Sequence, residues 1–332
     1  MLYMRANPFF SFLSFLVLLC VGAALPLLVV TTQEKQAATT LLPIGQTGDW
    51  TMIFDDEFNE TKLDSSKWNT CFSNFSVGPN QCIHDQNELE LYTSEGVILS
   101  NGTLTLRAEH KSVTGANGKT YQYPSGMISS GPPPGGDTPK FQFRYGYVEM
   151  KAILPTGNGL WPAFWMISAQ RYPPEIDNFE VLGESPKIIN MHFHPEGGGD
   201  SGFELNGPDT SAGWHTYGLD WEPGYIRWYV DGRLARNLSA SISPDIRMYL
   251  IANLAVGGDW PVSPDSSTPF PANFQIDYMR VWQKGIVATT VTPPVPSTTT
   301  ISPTPLRYLY TFRKGSSSKG HHAVCKRKNI HP

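Results

Sequence analysis

The chain has 332 residues, a formal net charge of −4, 16% charged residues and 12% aromatic residues. That balance argues against a nucleic-acid partner, because a polyphosphate needs a basic surface that this composition does not supply. Thirty Gly, 28 Pro and nine Trp in a weakly charged chain fit a turn-rich β protein with aromatic platforms better than a helical bundle.

Residues 9–30 form an apolar stretch preceded by Arg5, with no acid before Glu34. A positive start, an apolar core and the small run Gly22-Ala23-Ala24 read as a secretory signal. Leu27 to Val30 prolong the run to a length that also suits an uncleaved membrane anchor. Both readings export the remainder, as a secreted protein or one held at the membrane by residues 1–30. Residues 31–45 are expected to be a linker, and residues 46–285 the folded domain.

Within that domain, short alternating runs are separated by turn signals. Val97-Ile98-Leu99, Asn101-Gly102 and Thr103 to Leu106 read as strand, type I′ turn and returning strand. Tyr145 to Leu154, Ile188 to His194, Tyr217 to Trp221 and Tyr225 to Val230 continue the pattern, Asp231-Gly232 supplies another tight turn, and Ile276 to Trp282 is the last strand. No helical period is sustained, so the expected class is all-β, a sandwich or jelly roll. Residues 286–305 are rich in Thr and Pro and read as an extended linker. Residues 306–332 carry seven Lys or Arg and no acid, and are expected to be a disordered basic tail.

Of four cysteines, Cys20 and Cys325 lie outside the domain, while Cys71 and Cys82 sit eleven residues apart beside Gly78-Pro79-Asn80. In an oxidising compartment the expectation is a disulfide between them, with two buried thiols as the alternative.

The stretch that carries chemistry is Glu175-Ile176-Asp177-Asn178-Phe179-Glu180. On a regular strand Glu175 and Asp177 share a face and Glu180 takes the other. A β-bulge at Asn178-Phe179 would return Glu180 to the first face. Three carboxylates on one face repel each other, which is costly in a core and useful in a cleft, where it raises the pKa of one of them. Retaining glycoside hydrolysis uses such a set, with one ionised and one protonated carboxyl. A solvated acidic edge strand would show the same pattern.

The surrounding blocks narrow the reading. They are Phe54-Asp55-Asp56-Glu57-Phe58, Asn87-Glu88-Leu89-Glu90-Leu91-Tyr92, Tyr145 to Ala152, Gly159-Leu160-Trp161-Pro162-Ala163-Phe164-Trp165-Met166, Asn190-Met191-His192-Phe193, Asn253 to Pro261 and Ile276 to Trp282. In this order, from about Gly48 to Gln283, they resemble glycoside hydrolase family 16, and most of all its laminarinase-like endo-β-1,3-glucanases. The resemblance implies a concanavalin-like β-jelly-roll with an open concave cleft. It implies a nucleophile at Glu175, an acid/base at Glu180 and a tuning acid at Asp177. The bulged spacing is the one associated with 1,3-glucanases. Asn178 departs from the apolar residue usual there, and needs a hydrogen-bond partner if it points away from the cleft.

Trp161 is expected in the cleft with Trp165 in the core, and Trp260 as a stacking platform for sugar. His192 is expected near the nucleophile, and Asn253 and Asn87 at sugar contacts. No cofactor is expected to be required, although Glu57 and Asp277 resemble places where some relatives hold a structural calcium. His192-x-His194-x-Glu196 is similar to the metal ligands of cupins, but Pro195 and Gly197-Gly198-Gly199 end the strand before Glu196, so no metal is assigned. The expected partner is a β-glucan polysaccharide, acted on by a monomer. The alternatives are a glucan-binding protein without activity, and a hydrolase of the same fold acting on mixed-linkage glucan or a galactan.

Overall fold

The computed structural model describes residues 41–285, apart from 72–75, 85–86 and 134. The signal or anchor, most of the N-terminal linker, and the C-terminal linker and tail lie outside these residues.

Among the described residues the chain forms two large antiparallel sheets of eight and six strands. The eight-stranded sheet runs Arg233–Ser239, Tyr225–Val230, His215–Glu222, Gly146–Ile153, Ala272–Lys284, Thr103–Ala108 and Val97–Ser100, with Trp50–Asp56 also paired to Ala272–Lys284. The six-stranded sheet runs Met127–Ser129, Met248–Val256, Leu160–Ser168, Glu175–Glu180, Ile188–His194 and Phe203–Asn206. The two are the layers of a jelly roll. A smaller sheet, built from Ser76–Gly78, Gln81–Cys82, Glu90–Thr93 and Tyr123–Ser125, accompanies them.

Turn chemistry sets the strand pairings. Asn101 and Gly102 both have positive φ, 53° and 72°, as a type I′ turn requires, and Ser100 pairs with Thr103 across it. Asp231 and Gly232 repeat the device at 50° and 72°, joining Val230 to Arg233. Alternation then sorts each strand's side chains onto two faces. Phe164, Met166, Ile176, Phe179, Leu250 and Leu254 turn inward and meet Val148, Met150, Tyr217, Trp228 and Phe274 of the other sheet. The Phe179 ring lies 4.4 Å from Tyr217, 6.1 Å from Phe164 and 6.0 Å from Phe274, and so ties the acidic strand into the core. Burying each such ring contributes about 1.5–3 kcal/mol.

The N-terminal edge of the domain comes earlier than expected. Residues 41–45 do not behave as linker: the Trp282 indole donates to the Leu41 carbonyl at 2.8 Å, and Ile44 N donates to Glu149 at 2.9 Å. Gly45 packs directly on the Gly232 backbone.

Candidate active site

A cavity of about 520 Å³ opens on the outer face of the six-stranded sheet, lined in part by Trp161, Trp165, Glu175, Asp177, Glu180 and Asn253. Its floor follows from local geometry. In the pairing of Leu160–Ser168 with Glu175–Glu180, Trp165 faces Asp177 and Phe164 faces Phe179, so Asn178 is the additional residue. The bulge therefore falls at the expected place and puts Glu175, Asp177 and Glu180 together on the cleft side.

The bulge is fastened from behind. Asn178, 2% exposed, turns into the core and donates to the Tyr217 carbonyl at 3.3 Å. The buried Trp228 indole donates to the Asp177 carbonyl at 2.8 Å. Both partners come from the other sheet, and Asn190 adds a donor to the Glu180 carbonyl at 3.2 Å. The polar residue in an apolar position thus anchors the turn in the strand that aims Glu180.

Each carboxyl has its own electrostatic setting. Burial pushes Glu180 well above the usual carboxylate range, the negative charges of Asp177 and Glu175 push it further, and the Trp161 indole, donating to Glu180 Oε1 at 3.1 Å, acts in the opposite sense. Asp177 is raised well above its ordinary value by burial, then by the charge of Glu175, to which it offers its proton. Glu175 is also raised by burial, but the His194 ring, the proton from Asp177, His84 and Tyr172 hold it down. Burial and mutual repulsion thus favour the protonated form of Asp177 and Glu180, while the neighbours of Glu175 favour its charged form.

Several expected positions need correction. Trp165 is not in the core between the two large sheets, because it sits two residues from Ala163 and four from Trp161 on one face of one strand. It lines the cleft with them, covered by a separate cluster that includes Cys71, Cys82, Tyr92 and Met127. Asn253 spends its polar atoms within the protein, accepting from Trp165 Nε1 at 2.8 Å and donating to the Tyr92 hydroxyl at 2.9 Å. It thereby orients Trp165 while itself lining the cavity. Asn87 donates to Asp259 at 2.8 Å, clasping two loops, while its neighbour Glu88 lines the cavity.

His192 lies beside Glu180, with Nε2 4.0 Å from its carboxylate, and His194 is the histidine near Glu175 and Asp177, at 3.7 and 3.4 Å. Trp260 is 40% exposed and packs perpendicular to both Trp161 and His192, with ring centroids 5.4 and 5.7 Å away. Cys71 and Cys82 are joined as a disulfide, 5.7 Å apart at Cα, which ties Cys71 to a strand of the small sheet.

The residues expected near a structural calcium are held in ion pairs. Glu57 is engaged by Arg280 at 2.6 and 2.7 Å, and Asp277 by Lys151 at 2.8 Å, so both carboxylates already have cations from their own sheet. Residues missed in the sequence include His194, Tyr172, His84 and Glu88. Glu88 stood in a quoted block, and His194 was visible as the second residue of an H-x-H pair.

The family model for glycosyl hydrolases family 16 matches residues 83–280. The chain belongs to this family. It is 33% identical over 266 residues to a glucan endo-1,3-beta-glucosidase A1 of Niallia circulans, covering 70% of this chain and 38% of that one. It is 32% identical over 267 residues to a glucan endo-1,3-beta-glucosidase of Cryptopygus antarcticus, covering 71% and 93%. Among solved structures, the laminarinase catalytic domain from Thermotoga maritima MSB8 superposes with a TM-score of 0.62 at 31% identity, covering 71% of this chain and 99% of that domain.

Proposed function

We propose that this glycoside hydrolase cleaves β-1,3-glucan within the chain and with retention of configuration. The observation that carries the reading is the trio of carboxyls gathered by the bulge onto one face, with unequal protonation imposed by burial and by one another. The names of the relatives supply the substrate class, and their overlap with this chain supports applying it to the folded domain.

In this scheme the glucan lies across the six-stranded sheet with a sugar stacked on Trp260. Glu180 gives its proton to the glycosidic oxygen as the bond to the leaving chain breaks. Glu175 attacks the anomeric carbon and forms a glycosyl ester, while Asp177 donates to it and holds its orientation. Glu180, now ionised, removes a proton from water, which releases the sugar and restores both acids. No step calls for a metal or an organic cofactor. The disulfide supports an exported protein, since such bonds persist in oxidising compartments.

The test is hydrolysis of laminarin, mixed-linkage β-glucan, xyloglucan, agarose and carrageenan by wild type and Glu175→Gln. Activity on laminarin that the substitution abolishes is expected. Cleavage of a galactan alone would overturn the substrate. Binding of laminarin without any cleavage would overturn the activity.

A further inference from the structure

On the wall beside Glu180 stands a group that the hydrolytic scheme leaves partly unused. Alternation along Ile188–His194 places His192 and His194 on one face, with rings parallel to within 7° and 5.9 Å apart. The chain then turns through Pro195 and three glycines, of which Gly198 and Gly199 take φ of 80° and 96°. It returns with Asp200 facing both rings, its oxygens 3.0 Å from His192 Nδ1 and the nearer one 3.9 Å from His194 Nδ1.

The return is fixed in place. Ser201 N donates to the Phe193 carbonyl at 2.9 Å. The Arg236 guanidinium donates to the Ser201 carbonyl at 2.7 Å, to its hydroxyl at 2.8 Å and to the Met191 carbonyl at 3.0 Å. Asp200 is therefore held over the two imidazoles by a clasp on its neighbour. Glu196, the third ligand of the cupin-like pattern, is instead bound by Arg171 at 2.9 Å and by Ser243 N at 2.8 Å.

We propose that His192, His194 and Asp200 bind a divalent transition-metal ion of the Zn²⁺ type at the cleft wall, and that occupancy inhibits hydrolysis. One ligand atom from each residue lies within 4.8 Å of the others. Bonds of about 2.0–2.2 Å would draw these atoms together around an ion. Two imidazole nitrogens and one carboxylate oxygen suit Zn²⁺, Ni²⁺ or Cu²⁺ and not Ca²⁺ or Mg²⁺.

The far side of the His194 ring strengthens the case. With Nδ1 bound to the ion, Nε2 keeps its hydrogen, and those nitrogens face Glu180 at 4.0 Å and Asp177 at 3.4 Å. Asp177 lies close enough to accept from a ligating His194 after a small shift, whereas Glu180 at 4.0 Å is beyond hydrogen-bond reach of His192. Glu180 is the proposed acid/base and Asp177 the neighbour that steadies the nucleophile, so an ion here restrains the groups that must move during turnover. The inhibitory half rests on the hydrolytic reading, and the binding half does not.

The experiment is calorimetric titration of the EDTA-stripped full chain with ZnCl₂, for wild type, Asp200→Asn, His194→Gln and Glu175→Gln, with a melting curve for each to confirm folding. One ion per wild-type chain is expected, with affinity roughly 10–100-fold weaker in Asp200→Asn and in His194→Gln and little changed in Glu175→Gln. Asp200 lies in an exposed loop, so its variant keeps the test interpretable if His194→Gln fails to fold. No saturable binding overturns the proposal. So does affinity lost in Glu175→Gln and kept in Asp200→Asn, which would place the ion among the cleft acids. Zinc should also reduce laminarin hydrolysis near its binding constant, reversibly with EDTA and more weakly in Asp200→Asn. Binding without that reduction overturns the inhibitory half. A wild type that hydrolyses nothing is a failure of the activity reading, and calorimetry alone then decides on the site.

Discussion

Asp177→Asn should stabilise the protein, and by an amount that grows with pH. Asp177 is 2% exposed, and burial together with Glu175 raises its pKa in the folded state. An unfolded aspartate titrates near about 3.9. Above that value the unfolded chain has lost the proton while the folded chain still holds it. Folding then requires proton uptake, and each pH unit removes about 1.4 kcal/mol from wild-type stability until the folded group also ionises. An asparagine needs no proton, and its amide still donates to Glu175. The variant and wild type should be nearly equal at about pH 4 and diverge above it. The gap should widen with rising pH by at most about 1.4 kcal/mol per unit, or roughly 3–5 °C in melting temperature for a domain of this size, and level off where folded Asp177 also ionises. Melting curves at half-unit intervals measure it directly. A gain that is independent of pH, or one that shrinks as pH rises, would refute the assignment of a buried proton to Asp177.

The other expected outcomes concern what surrounds the acids. Trp161→Phe removes a donor that favours ionised Glu180, so Glu180 should hold its proton to higher pH and the alkaline limb of kcat/KM should move upward; a downward move would contradict the assigned direction. Trp228→Phe takes away the hydrogen bond to the Asp177 carbonyl, which should cost about 1–3 kcal/mol in urea unfolding and lower kcat more than it changes KM. Asn253→Ala leaves Trp165 Nε1 and the Tyr92 hydroxyl without their shared partner, at a cost of about 2–4 kcal/mol by the same assay, and activity lost without any loss of stability would argue for direct sugar contact instead.

The acidic strand was legible in the sequence because a bulge at Asn178-Phe179 gathers its three carboxyls on one face, and the surrounding blocks favoured that cleft arrangement over a solvated acidic edge. The hairpins at Asn101-Gly102 and Asp231-Gly232 were legible because few residue pairs accept two positive φ angles. Trp165 was misplaced because alternation reveals which residues share a face and not which face meets the core. Both faces of Leu160–Ser168 are largely apolar, one against the other large sheet and one beneath the small sheet. The contacts of Asn253, Asn87, Glu57 and Asp277 were not legible, because their partners Tyr92, Asp259, Arg280 and Lys151 are distant in sequence. The placement of Asp200 over His192 and His194 depends on Arg236, 36 positions further on, and no local pattern announces it.

If Glu175 is the nucleophile and Glu180 the acid/base, the anomeric configuration of the first product is fixed. Proton NMR during early hydrolysis of a laminarin oligosaccharide distinguishes the anomers before mutarotation mixes them. Double displacement by two carboxyls predicts that the β-anomer appears first and the α-anomer only afterwards. Initial release of the α-anomer would mean a single displacement by water, and would contradict the roles assigned to both glutamates.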